Sequence, residues 1–499
     1  MAATGIVRTK RRCNVFRRNV MVCVAFGALV CAASGPAIGG ERERLRSELR
    51  ALVGEADEAF LLAEIPRVQP WHNIRHLARF QQMQDRVGGG FCGCLPGQIA
   101  NVEEIPLPVD EIGVLQTAIF LAEQRNMTRG ELTRLGIPSD FPSFKPPELP
   151  AMKEFPQMTL HIDLSVPNAF LEALADGEIT MGEAREIVRM PANRELLRFV
   201  WSRCDRPKPC VTDSTLTYLI WKAGSSDPLE RLWRWMNPMN DFGYADLAVN
   251  ANEYRRLIDD VQMHRQEIAC AALARVGSFF PTNRKTEATY AFLPGCFTGD
   301  WETLEMAGAN MPRIRTGWEE ILRRISAGLI RGELLRRCRG PGGDHPRVVD
   351  DLIHAGLDDE RFELFFDVIA YTVVEGAVEY MSNPSSSVQE LAGVSAGADL
   401  IDDYVGEVIR RQQLESAHII FEHGRGPGGA LIALGIHLTR IIAERDGPHA
   451  VLPLLEQGPV AFFQRAVEIG AESGGDLVDD ESVSAVRDLS ARLVRSSKS

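Results

Sequence analysis

The sequence predicts a mostly helical α+β protein with a small sheet. Apolar residues recur at three- and four-residue spacing over most of the chain, the signature of helices with one buried face. Only two short runs read as strands. The composition, 45% hydrophobic and 25% charged, is that of an ordinary globular protein and not of a collagen, a coiled coil or a disordered chain. At 499 residues the chain is long enough for two or three domains, or one large domain with additions.

The first 37 residues read as an export signal. Arg8, Lys10, Arg11, Arg12, Arg17 and Arg18 precede an apolar run from Val20 to Ala33. Small residues follow in Ala33-Ser34-Gly35-Pro36-Ala37, the order of a cleavable secretory signal. The run is shorter than the roughly 20 residues of a comfortable membrane span. Cleavage after Ala33 or Ala37 is expected, so membrane contact would arise only through an uncleaved signal. The overall charge is -13, and the remaining body carries 49 basic against 68 acidic residues. Such a body repels a phosphate backbone, which argues against nucleic-acid binding.

Residues 38–136 form a helical N-terminal region. Leu45, Leu49, Leu52, Phe60 and Leu61 fall near one face of a helix over 41–65, and further helices are expected over His72–Val87 and 109–126. Residues 137–156 contain Pro138, Pro142, Pro146, Pro147, Pro150 and Pro156 and read as a linker, since proline cannot continue a helix. Residues 157–472 form the main domain. It opens with a short strand over Leu160–Leu164 and a helical stretch over 166–203 that breaks near Gly177. Thr180, with Glu183 three residues on, has the spacing of a capping box that starts a new helix. Helices are expected over 227–237, 251–275 and 314–337. Thr289–Phe292 reads as a strand. A short helix opens at Asp344-His345-Pro346 and closes at Gly356, and longer ones cover 359–381, 397–423, 428–446 and 458–470. Residues 473–499 form a polar C-terminal tail with room for one last helix.

Export favours disulfides. Of ten cysteines, Cys204 and Cys210 flank a turn-like Asp-Arg-Pro-Lys-Pro and could close a small bridge. Cys92-Gly-Cys94 sits in a glycine-rich loop. Neither pair has the doubled spacing of a structural zinc site. His72 and His76 lie four apart on a helix without an evident third ligand. His418 and His423 flank Glu422 at a spacing one residue too long for an inverted zinc motif. Neither Gly424–Gly429 nor Gly340–Gly343 carries the lysine of a phosphate loop. Trp233 and Trp235, two apart on a helix, suggest an aromatic binding surface if one ring faces solvent, but core packing is the default reading.

The segment Val348-Val349-Asp350-Asp351-Leu352-Ile353-His354-Ala355-Gly356 carries the chemistry. Asp350 and His354 are four apart and share a helix face, with Asp351 on the flank. Glu375-Gly376-Ala377 follows 21 residues after His354, far enough for a turn and an antiparallel helix. Tyr290-Ala291-Phe292-Leu293-Pro294-Gly295 precedes this pair. Gly458-Pro459-Val460-Ala461-Phe462-Phe463 follows it.

In that order these pieces resemble the zinc-dependent peptidase families of the gluzincin, thermolysin-like clan, over roughly residues 157–470. In that clan a His-Glu-x-x-His helix supplies two ligands and the general base, and a Glu on a following helix supplies the third. The resemblance implies a divergent member in which Asp-Asp-x-x-His stands at the motif. Asp350, His354 and Glu375 would hold zinc, and Asp351 would deprotonate the metal-bound water. Residues 289–295 would offer an edge strand to an extended peptide. Two carboxylates neutralise the ion's charge and make it a poorer Lewis acid, and an oxygen-rich set leans towards manganese or calcium. Asp351 is one methylene shorter than Glu, and a misplacement of about 1 Å costs roughly a hundredfold in rate. The expected function is therefore an exported metallopeptidase-like protein acting on a peptide or protein. The alternative is a catalytically inactive, peptidase-derived binding or scaffolding protein of the cell envelope.

Overall fold

The computed structural model describes residues 37–68, 110–134, 158–202, 211–236, 243–280, 286–294, 300–303, 305–311, 317–337, 357–383, 391–425, 428–473 and 477–496. The expected signal up to residue 36, the helix at His72–Val87, the proline-rich linker and the short helix at 344–356 lie outside them. So do His72 and His76, Gly340–Gly343 and both cysteine pairs. Within the described residues the protein is mostly helical, with one four-stranded sheet. No helix there is long and apolar enough to cross a membrane.

The N-terminal helices are α1 (Ala37–Glu64) and α2 (Glu111–Arg134). A straight helix would set Arg46 and Glu58 about 18 Å apart along its axis. Instead, Arg46 Nε and Arg50 Nε each lie 2.6 Å from the Glu58 carboxylate. The chain bends back at Gly54, where φ is 80° and ψ 174°. Only glycine populates that region freely, so Gly54→Val should cost about 1–3 kcal/mol, read from a urea midpoint. The bend brings Leu45 and Leu49 together with Leu61, Leu115 and Ala122 in a small core.

Glu58 is buried, and its carboxyl lies below its ordinary value of 4.5. The hydrogen bond from Arg50 is the main cause and Arg46 adds to it, against the opposing effect of burial. A depressed folded pKa adds stability that is present above 4.5 and lost as the pH falls through the folded value. The stability gap between wild type and Glu58→Gln should therefore shrink as the pH falls below about 4.5, followed by circular dichroism.

A third helix, α7 (Pro228–Met236), joins this core to the main body. The chain reaches it through β1 (Met158–Asp163), α3 (Ser165–Ala175), α4 (Met181–Arg189), α5 (Pro191–Ser202) and α6 (Asp213–Ala223). Thr180 caps α4 as its spacing predicts. Its hydroxyl accepts from the Glu183 N–H, and the Glu183 carboxylate accepts from the Thr180 N–H at 2.8 Å. In α7 (Pro228–Met236) both tryptophans are buried. They point to opposite sides, about 200° apart. Trp233 faces Lys222 of α6, with Nζ 5.4 Å from the ring centre. Trp235 lies under the Arg125 guanidinium of α2 at 4.3 Å and beside Phe60 of α1. Core packing holds for both rings, because this helix has protein on both faces.

Next come α8 (Tyr244–Val249), α9 (Ala251–Met263) and α10 (Arg265–Val276). The single helix expected over 251–275 breaks at His264. The sheet is completed by β2 (Thr286–Leu293), β3 (Asp300–Glu302) and β4 (Met306–Asn310), in the order β1-β2-β4-β3. β1 and β4 run parallel to β2 in register, Met158 opposite Thr286 and Thr289 opposite Met306, while β3 is antiparallel to β4. β2 is therefore interior, with a strand on each side, and the expected edge strand at 289–295 is corrected. Tyr290, Ala291, Phe292 and Leu293 are all fully buried, which is how a strand covered on both faces reads.

The C-terminal half is a helical assembly built on α11 (Trp318–Arg337), α12 (Glu360–Ser382), α13 (Leu391–Tyr404), α14 (Leu414–Gly424), α15 (Ala430–Asp446), α16 (Val451–Glu456), α17 (Pro459–Glu472) and α18 (Asp480–Ser496). The helix expected over 397–423 is interrupted by a π-helical turn at Val405–Arg410 and by Gln412 at φ 60°. α15 lies at the centre against α12, α13 and α17. Residues 480–496 join the assembly, because Ala485, Val486 and Leu489 of α18 are buried in the main core.

Candidate functional site

Glu375 is the one expected metal ligand among the described residues; Asp350, Asp351 and His354 lie outside them. Its position follows from the apolar pattern of α12, which buries Phe365, Ile369, Val373, Ala377 and Met381 and sets Glu375 on the opposite side of the helix. That face lies against α11. Arg331 Nη2 of α11 approaches Glu375 Oε2 at 2.6 Å, and both side chains are partly buried.

One turn further along α12, Glu379 repeats the arrangement. Its carboxylate accepts from Arg323 Nη1 at 2.8 Å. The same guanidinium donates to Glu320 through Nε at 2.6 Å and Nη2 at 2.7 Å, a two-pronged contact. Arg324 reaches Glu320 at 2.6 Å as well. Burial alone would raise the Glu320 carboxyl, but the Arg323 hydrogen bond and the two guanidinium charges hold it below its ordinary range. The α11–α12 seam is therefore a ladder of arginine–carboxylate pairs, in which Glu375 is one rung.

The two residues after Glu375 have different work. A Cβ placed on Gly376 would lie 2.3 Å from the Gly435 carbonyl carbon of α15, so the two backbones touch there. A Cβ on Gly435 would lie 1.8 Å from the Thr372 carbonyl oxygen. Thr372 and Thr439 turn their hydroxyls back to Val368 O and Gly435 O, each at 2.8 Å, which gives each buried hydroxyl an acceptor. Ala377 is fully buried. The Glu-Gly-Ala triplet is thus accounted for by an ion pair, a helix crossing and a core contact.

His418 and His423 are exposed on α14, with Glu422 exposed between them. Among the described residues, no three His, Cys, Asp or Glu side chains are grouped to hold a metal ion. The geometry defines a helical α+β protein whose principal polar feature is the α11–α12 ladder. No protein family, curated protein or solved structure matches the chain.

The arginines of this ladder escaped sequence reasoning. Their signal was present in Glu320, Arg323 and Arg324 at helical spacing, and in Glu375 and Glu379 four apart, a pattern of charged faces on two successive helices.

Proposed function

We propose that this chain is an exported, peptidase-like binding or scaffolding protein of the cell envelope, in which Glu375 serves architecture and not catalysis. The observation that carries this reading is the Arg331–Glu375 ion pair. A guanidinium bonded to the carboxylate already supplies the positive charge that a metal would bring. A divalent ion placed on the same carboxylate would face Arg331 as a like charge. The described donor therefore fits zinc poorly. Aspartate at the position of the first histidine, and a second aspartate at that of the base, agree with a lineage that has given up hydrolysis. The partner class, a peptide or protein, rests on the sequence resemblance and on an acidic body unsuited to nucleic acid.

The test is metal analysis of the purified full-length chain with a peptide-hydrolysis assay on wild type, Asp351→Asn and Glu375→Gln. The expected result is far less than one zinc, manganese or calcium ion per chain and equal background hydrolysis in all three. Arg331→Met and Glu375→Gln should each lower stability by about 1–2 kcal/mol, between the values for exposed and buried pairs. One bound ion per chain, lost in Glu375→Gln, with hydrolysis lost in Asp351→Asn, would overturn the proposal. It would establish instead a metallopeptidase with Asp350, His354 and Glu375 as ligands and Asp351 as base.

A further inference from the structure

We draw no further inference here: the strongest candidate, the exposed apolar side chains Leu414 and Ile419 of α14, is a surface patch, and nothing in the structure shows what covers it.

Discussion

Replacing Gly435 by valine should unfold the C-terminal helical assembly or cost it about 3 kcal/mol or more, at the upper end of overpacking penalties. Even the first added carbon would sit 1.8 Å from the Thr372 carbonyl oxygen and 3.0 Å from the Gly376 Cα. These are backbone atoms of α12, so no rotamer change can relieve the overlap. Relief requires the helices to separate, and separation loosens the contacts of α15 with α13 and α17 as well. Gly332→Ala is the matching control. It lies inside α11, and its nearest foreign atom would be Arg336 Nη2 at 3.6 Å, an ordinary contact. That substitution should be neutral or stabilising by up to about 1 kcal/mol through helix propensity. Urea titration of both variants tests the pair. Equal midpoints would refute the close crossing.

Trp235→Ala should cost about 3–5 kcal/mol and act first on the N-terminal helices. The indole fills the joint where α7 meets α1 and α2, and it is stacked under Arg125. Burial lowers the Arg125 pKa to about 10, and the nearby Asp57 only partly offsets that cost. Without the ring, a poorly solvated cation borders a cavity, so the helices gain by parting. Limited proteolysis should then cut within α1 and α2 while the body from β1 onward survives. Trp235→Phe should retain much of the protection, since it restores most of the apolar volume. Simultaneous digestion of the whole chain would show that the N-terminal helices are not separately held.

Helices with a strong local signal were legible from the sequence. The Thr180–Glu183 capping box works as its spacing predicts, because both of its hydrogen bonds are local. β2 was legible as a strand from its apolar run, but its place in the sheet was not. Interior position depends on β1 and β4, which are remote in sequence. β4 itself, Met-Ala-Gly-Ala-Asn, has no β-branched residue and gives almost no strand signal. Helix α6 was missed although Thr212 caps it through the Thr215 N–H, because no acidic residue completes a capping box there. The candidate site was legible only as residue types. Sequence spacing placed Glu375 on a helix face correctly. What that face meets is decided by Arg331, 44 residues earlier, and no local pattern specifies such a meeting.

The register of Met158 against Thr286 has a consequence for how the chain is made. The two strands are neighbours in space, yet everything from α3 to α10 emerges between them. Closing so long a loop pays its entropy before any ladder hydrogen bond is gained. A nascent chain in which β1 has emerged must therefore keep it unpaired while more than a hundred further residues are synthesised. During that interval Leu160 and Ile162, buried at the end, face solvent. Slow translation would lengthen the aggregation-prone interval, and a holdase that shields β1 would shorten its exposure.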